Sequence, residues 1–456
     1  MITDRQGNRL NGATAAAAER FDEALHAFNI YRGDPVRLLD AALEAAPQFA
    51  MARLFTAHVF ALATEPAATA EARGILAEVR GMRLDEREAA HLQALDHLVD
   101  GNWSAAANTL AQLSARHPRD LLALQSGHLM DFYRGNQREL RDRIARALPE
   151  WSPATPGYPI LRGMYAFGLE ECGDYVRAEE EGRGALDGQP LDCWAHHAVA
   201  HVMEMQGRAE DGIGWMLARE PYWSGDDNFF KVHNWWHRAL YHLTLQEVDE
   251  ALALYDGPIR EARSVVALDM VDASAFLWRF HLLGHDAGHR WRELAEAWDR
   301  HADGRTYSFN DWHAVMAWLG AGRDRDVEGM LAMYRAGASG ADENARWARE
   351  IGLPLIEGFV AFWNADYARA AERLYGARHI ANAFGGSHAQ RDVIDWTLTE
   401  SALRGGLADL AAALAHERLA RSPHSRLNLG LLTRARELRE PGASQRRATI
   451  ADSTKA

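Results

Sequence analysis

The sequence predicts an all-α fold, a tetratricopeptide-like α-solenoid in which antiparallel helix pairs stack into a right-handed superhelix. Three observations predict it. A glycine–aromatic–alanine pattern recurs with a proline 17 residues after the glycine, and two pairs of glycines lie 34 residues apart. No segment sustains the period-two alternation of a strand. A 34-residue period is that of the tetratricopeptide repeat, a unit of two helices.

The recurring pattern specifies how each repeat is built. The glycine tolerates the left-handed turn that ends a first helix, the alanine lets the second helix pack closely, and the proline ends that second helix. The 34-residue steps run from Gly101 to Gly135 and from Gly173 to Gly207. The three clearest instances, the last with alanine in place of the aromatic residue, are Gly101, Trp103, Ala106 and Pro118; Gly173, Tyr175, Ala178 and Pro190; and Gly406, Ala408, Ala411 and Pro423.

The repeats predict one folded domain. The chain has 456 residues, of which 48% are hydrophobic and 25% charged, enough to bury a large core. Because a single repeat cannot bury its own apolar face, we expect one continuous stack over residues 18–435. A flexible N-terminus at 1–17 and a disordered tail at 436–456 would flank it.

Composition excludes several classes of partner. The net charge of −14 repels phosphate backbones, so we predict no nucleic-acid partner. No apolar run is long enough to span a membrane, and the first residues lack the apolar segment of a signal peptide. Two cysteines cannot form a disulfide framework, so we predict a reducing cytoplasm. The oligomeric state stays open, a homo-oligomer included.

Several motifs resemble a known family. They are the segments 194–207 (WAHHAVAHVMEMQG), 228–243 (NFFKVHNWWHRALYHL), 267–274 (ALDMVDAS), 309–314 (FNDWHA) and 385–392 (GGSHAQRD). These segments look like the tetratricopeptide repeat protein 38 family, and the resemblance extends from about Ala18 to Arg434. It implies a helical solenoid and carries no established activity, substrate or cofactor.

The region 194–318 concentrates the residues that can do chemistry. It holds 11 of the 21 histidines and 10 of the 15 tryptophans. His197 and His201 lie four residues apart, on one face of a first helix, and His233 and His237 repeat this spacing on the next. By resemblance to tetratricopeptide proteins, this face lines the concave groove. With one residue from each of the next two first helices, the catalytic candidates are His197, His201, His233, His237, Asp272 and His313.

Residues beside these candidates are predicted to contact a ligand. Tryptophans on the histidine face can stack on it, a lysine can hold an anionic group, and amide or carboxylate oxygens can accept hydrogen bonds. The predicted ligand-binding residues are Trp194, Glu204, Lys231, Trp236, Asn310, Asp311 and Trp312.

Three uses of the cluster remain open. Imidazoles and carboxylates from adjacent helices can bind a divalent transition metal, although Ala198 stands where a zinc-protease helix has its glutamate. Without a metal, a histidine oriented by Asp272 or Glu204 can act as general base, with His237 or His313 as acid. Alternatively, the histidines are buried and bonded to their neighbours in a purely structural role.

The residue types favour a compact binding pocket. A groove for peptides usually presents asparagine, lysine or arginine, whereas this groove presents histidine, aspartate and tryptophan. We therefore predict a solenoid that binds a small polar ligand, or a peptide, in its concave pocket. The alternative is a metal-dependent or acid–base hydrolase or lyase acting on a small polar metabolite in the same pocket. The cofactor stays open, a divalent transition metal included.

Overall fold

A computed structural model describes residues 1–337 and 340–439 and confirms the all-α solenoid. Within these ranges there is no strand, only the isolated bridges Thr3 to Arg9 and Arg32 to Asn228. The α-helices are α1 Ala15–Asn29, α2 Pro35–Ala45, α3 Ala50–Ala61, α4 Pro66–Val79, α5 Glu86–Val99, α6 Trp103–Arg116, α7 Leu121–Tyr133, α8 Gln137–Ala147, α9 Tyr158–Glu171, α10 Tyr175–Gly188, α11 Cys193–Gln206, α12 Ala209–Trp223, α13 Lys231–Thr244, α14 Val248–Leu254, α15 Ala267–Leu282, α16 Arg290–Trp298, α17 Ser308–Gly320, α18 Asp324–Ala336, α19 Glu343–Trp347, α20 Leu353–Trp363, α21 Tyr367–Ala377, α22 His388–Arg404, α23 Ala408–Arg421 and α24 Arg426–Arg439.

The glycines and prolines predicted to mark the helix ends of each repeat lie at those ends in the structure. Gly101, Gly173 and Gly207 each follow a first helix and adopt a positive φ. The second helices α6, α10 and α23 each end two residues before the predicted proline. Consecutive helices pack as pairs, and each pair packs on the next. Local sequence signals therefore determine where these helices begin and end.

The two ends of the chain were predicted to lie outside the solenoid. Before α1, the side chain of Asn8 donates to the carbonyl of Arg119 at 3.0 Å, and that of Asn11 donates to Asp85 at 2.6 Å. Short polar side chains thus connect residues predicted to be flexible to the loops beside α5 and α7. At the other end, α24 continues to Arg439, beyond the predicted boundary at 435. The rest of the predicted tail, residues 440–456, lies outside the described residues.

The solenoid closes on itself. Arg32 pairs with Asp227 at 2.6 Å, and the amide of Asn310 donates to the carbonyl of Thr64 at 2.9 Å. Ser104 donates from its backbone to Glu343 at 2.6 Å. Each of these contacts joins repeats that are far apart in sequence. The concave face, predicted as a groove, is consequently covered, and helices α11, α13, α15 and α17 are largely buried.

None of the helices in the described ranges combines the length and the apolar character that crossing a membrane requires. This agrees with the hydropathy of the sequence.

Candidate functional site

A cavity of about 480 Å³ lies where the closure brings distant repeats together. Its wall is formed by the C-terminal ends of α1, α3 and α7 and by the N-terminal starts of α11, α13, α15, α17 and α22. Most of the lining side chains are aliphatic or aromatic, among them Phe28, Phe60, Leu129, Phe132, Leu268, Val271 and Phe309. The lining of this central cavity, so called because it lies between early and late repeats, is therefore mainly apolar, and Arg32, Asp34 and Glu65 add charged side chains to it.

Two histidines belong to the polar part of this wall. His197 of α11 and His233 of α13 both line the cavity, and His237 lies one helical turn behind His233. The Nε2 atoms of the three rings are 3.0 Å apart between His197 and His233, 3.1 Å between His197 and His237, and 3.2 Å between His233 and His237. A ligand atom of His201 lies within 4.8 Å of these atoms. The predicted spacing of four residues therefore does place the histidines of two helices together.

A carboxyl group lies next to Nδ1 in two of these rings. Nδ1 of His233 donates to Oδ2 of Asp272 at 2.7 Å, which leaves Nε2 as an acceptor when the ring is neutral. Oε2 of Glu170 lies 3.4 Å from Nδ1 of His201 without a formed hydrogen bond. The carboxylates thus lie on the Nδ1 side of each ring.

Burial sets the charge of the cluster. It lowers the pKa of His197 and of His237 well below the usual value, and neighbouring histidines lower both further. Burial likewise lowers the pKa of His201 to about 3. It raises the pKa of Glu170 well above its usual value, and the neighbouring Glu171 adds to this. Burial therefore favours the unprotonated form of these three imidazoles and the protonated form of the Glu170 carboxyl group.

Three of the predicted ligand-binding residues lie at this site. Trp194 lines the cavity and stacks on His197 with ring centroids 5.5 Å apart. Asn310 also lines the cavity and donates to the carbonyl of Thr64. Trp236 is fully buried and stacks on His233 at 5.2 Å, so it supports the ring rather than facing the cavity.

Two polar candidates lie elsewhere. Glu204 borders a separate small pocket with Asp392 and Arg418, and burial raises its pKa to about 7. Lys231 pairs with Asp226 at 2.6 Å at the surface. Neither side chain is among those that line the central cavity.

The candidates on α17 point in different directions. Asp311 accepts from the hydroxyl of Tyr334 at 2.8 Å and from the backbone of Gly304. Nδ1 of His313 donates to the carbonyl of Phe309 at 2.8 Å, and Trp312 is buried against His313. These three residues lie in the packed core and outside the four-histidine group.

Sequence reasoning missed the N-terminal half of the site. Tyr31, Phe60 and Leu129 belong to repeats that come long before the histidine-rich region, and only the closure brings them to the cavity. For Glu170, the sequence did contain a signal that could have placed it near the site. It lies 34 residues before Glu204 and takes the same position in its repeat, so the repeat period could have placed it on the same inner face.

No family model matches the chain. Among solved structures, it is similar to a chain in the crystal structure of the APC/C hetero-tetramer Cut9-Hcn1, with 14% identity and a TM-score of 0.41 over 92% of this chain and 76% of that chain. The resemblance to the tetratricopeptide repeat protein 38 family stays a prediction. The chain's own helix pairs and 34-residue steps make it a tetratricopeptide-like repeat protein.

Proposed function

We propose that the chain binds a small, mainly apolar molecule with one polar group in its central cavity. The observation that supports this proposal most is the composition of the wall, which is mainly apolar, with His197 and His233 on one part of it and a few other polar side chains, among them Arg32 and Glu65. The volume of about 480 Å³ is in the range that holds small organic ligands. Such a wall gains free energy from burying a hydrocarbon body, while the histidine side fixes the orientation of a polar end.

The polar end of this molecule would carry negative charge. Phe230 and Tyr307 are the N-cap residues of α13 and α17, both line the cavity, and neither caps its helix with a side-chain hydrogen bond. At the start of α13, Asn228 already accepts from the backbone N–H groups of Phe230 and Lys231. The first turns of the two helices carry further N–H groups, and helix starts favour anions. Together with the apolar wall, this favours an organic acid.

This proposal refines the earlier prediction of a small polar ligand or peptide. An apolar wall would leave the polar groups of a sugar-like molecule without hydrogen bonds, which costs free energy. The closure of the solenoid covers the concave face on which a peptide would lie. An apolar acid satisfies both constraints.

We also propose membership of the tetratricopeptide repeat protein 38 family, with the cavity as its shared feature. Each of the five segments that carry the resemblance contributes to the cavity wall. The contributing residues are Trp194 and His197; Phe229, Phe230 and His233; Leu268 and Val271; Phe309 and Asn310; and Gly386, Ser387 and Gln390. The cytoplasm remains the proposed compartment, supported by the free thiols of Cys172 and Cys193.

An enzyme is the second candidate, favoured by one contact. His233 reaches the cavity wall while its Nδ1 is held by Asp272 at 2.7 Å. A carboxylate that fixes an imidazole in this way is the arrangement of a general base. The test is hydrolysis of an apolar ester, 4-nitrophenyl decanoate, which should be at least tenfold slower in Asp272→Asn than in the native protein. Equal turnover by the native protein and the variant would rule out the enzyme.

Binding can be tested with a dye that fluoresces in apolar sites. We expect 1-anilinonaphthalene-8-sulfonate, an aromatic anion, to bind the native protein at one site. Val271→Phe and Leu129→Trp fill the cavity and should weaken binding at least tenfold, equivalent to about 1.4 kcal/mol. Decanoate should displace the dye, and glucose should not.

The matched control is Val176→Phe, the same exchange at a side chain that is 77% exposed. It should leave dye affinity unchanged, and circular dichroism checks that every variant is folded. Equal affinity of the filled and native proteins would show that the dye binds elsewhere. Displacement by glucose alone would instead favour a polar ligand.

A further inference from the structure

The spacing of three imidazole nitrogens is that of ligands around a metal ion. Zinc–nitrogen bonds of about 2.0–2.1 Å at tetrahedral angles place the nitrogens about 3.3 Å apart. The Nε2 atoms of His197, His233 and His237 lie 3.0–3.2 Å from one another. A triangle of this size accommodates an ion slightly above its plane.

Hydrogen bonding alone does not account for this triangle. The Nδ1 proton of His233 is committed to Asp272, so its Nε2 offers only a lone pair. Nδ1 of His197 and of His237 is buried without a partner. A neutral ring has one N–H and can donate it to one neighbour. Because Nε2 of His233 cannot donate, the three mutual Nε2 contacts always include at least one pair in which two N–H groups, or two lone pairs, face each other.

We propose that Nε2 of His197, His233 and His237 bind a divalent transition metal, zinc being the first candidate, with the remaining coordination position directed to the cavity. Imidazole is a preferred ligand of zinc, and three protein ligands with an open fourth position are typical of catalytic zinc sites. Two of the three rings, His197 and His233, line the cavity. The inference does not depend on which molecule the cavity binds.

The surroundings of the triangle suit a cation. Asp272 holds His233 in the tautomer that a metal needs, an arrangement common around metal-bound histidines. Both carboxyl oxygens of Glu170 are buried without a hydrogen-bond partner, beside His201. A dication nearby would stabilise the ionised form of this carboxyl group, which no cation in contact with it now does.

His201 has a separate role in this arrangement. One of its ring nitrogens lies within 4.8 Å of a ligand atom of each of the other three, but neither nitrogen is in hydrogen-bond contact with them. Glu170 faces Nδ1 of His201 at 3.4 Å. We therefore place His201 beside Glu170 at the edge of the site rather than among the first three ligands.

Metal content gives the first test. Protein stripped with a chelator is reconstituted with Zn²⁺ or Co²⁺, and bound metal is measured by elemental analysis and by the visible spectrum of Co²⁺. We expect one ion per chain, lost in His197→Ala and in His237→Ala. The matched controls are His128→Ala and His196→Ala, since both rings are buried and lack partners but lie outside the cluster.

A more conservative substitution provides a second test if a histidine variant fails to fold. Asp272→Asn keeps the shape of the side chain, and loss of such a supporting carboxylate typically weakens metal binding 10–100-fold. We expect His201→Ala to keep one Co²⁺ ion. Failure of the folded native protein to bind stoichiometric metal, or full binding by a folded His237→Ala, would overturn the proposal.

The open position gives a second readout. Adding decanoate or azide to the Co²⁺ protein should change its visible spectrum, because either anion can take the fourth position. A spectrum unaffected by both would overturn the open position. Metal binding without dye binding would leave this inference intact and refute the cavity proposal, whereas dye binding without metal would do the reverse.

Discussion

At the scale of single residues, the molecule is distinguished by histidines held neutral in its interior. His196 is one that the proposed site does not use. Its ring stacks between Trp215 and Trp223, with centroids 5.5 Å and 5.8 Å away, and neither nitrogen has a hydrogen-bond partner. Burial lowers its pKa well below the usual value, and the charge of Arg219 lowers it further. The folded protein therefore keeps this ring unprotonated.

This burial predicts an acid-dependent loss of stability. Below about pH 6.5 the unfolded chain takes up a proton at His196 that the folded chain does not, so protons favour unfolding. Relative to His196→Phe, the native protein should lose about 1.4 kcal/mol per pH unit below that value. Urea unfolding at pH 7.5 and pH 5.5 measures the difference. A stability difference that is the same at both pH values would contradict the prediction.

The carboxyl groups of the interior behave in the opposite sense. Burial raises the pKa of Asp192 and of Asp311 to about 7, so both are partly protonated when folded at neutral pH. Acid favours the folded state through such groups, from about pH 7 down to their unfolded pKa near 4. The effect of acid on the stability of the whole protein is therefore a balance between buried histidines and buried carboxyl groups. For this reason the prediction for His196 compares the native residue with phenylalanine at that one position.

At the scale of elements, the ends of the helices are the part of the fold that local sequence determines. Gly173 follows α9 with a φ of +80°, a conformation that favours glycine, and the space around its missing Cβ is open. Gly74 lies within α4, where no such conformation is needed, and its surroundings are also open. The same exchange should thus act in opposite directions at the two positions.

Gly173→Ala should lower the free energy of unfolding by about 1 kcal/mol, because alanine is strained in the left-handed region. Gly74→Ala should raise it by about 0.5–1 kcal/mol, because alanine favours the helix. Urea unfolding midpoints compare the two variants with the native protein. A shift of the same sign in both would refute the assignment of Gly173 as a helix-ending turn.

Element-scale signals also explain what the sequence could and could not predict. Glycine, aromatic, alanine and proline positions gave the repeat and the ends of α6, α10 and α23. The spacing of four residues brought His197, His201, His233 and His237 together, because a helical face is a local property. The direction of Asp311 and His313 was not predictable, since it depends on Tyr334 and on backbone contacts that packing alone decides.

At the scale of the whole molecule, closure decides the nature of the site. The repeat pattern specifies how one helix pair packs on the next, but the small rotation per repeat, summed over the chain, is not encoded in any motif. The apolar half of the cavity and the covering of the concave face both follow from that sum. For this reason the sequence indicated the histidine-bearing part of the wall but not the mainly apolar part that the early repeats contribute.

Closure can be tested at a close backbone contact. A Cβ at Gly135 would lie 1.7 Å from the carbonyl oxygen of Asn382, which belongs to a distant repeat. Gly135→Ala should therefore loosen the closed arrangement, increase the radius of gyration in X-ray scattering, and weaken dye binding. Gly173→Ala is the matched control, because it has a positive φ without such a neighbour. Equal effects of both variants would show that this contact does not hold the molecule closed.

The cavity is assembled from residues far apart in the described chain, from Ala27 to Gln390. During synthesis, the early repeats can stack as soon as they leave the ribosome, whereas the chamber has no complete wall until the start of α22 has emerged. The nascent chain therefore passes through a long period in which the apolar surface of the early repeats is open to solvent. Binding of a ligand in the cavity becomes a late event, and a chain arrested before Gly385 would have stacked helices and the histidine cluster without a complete cavity wall.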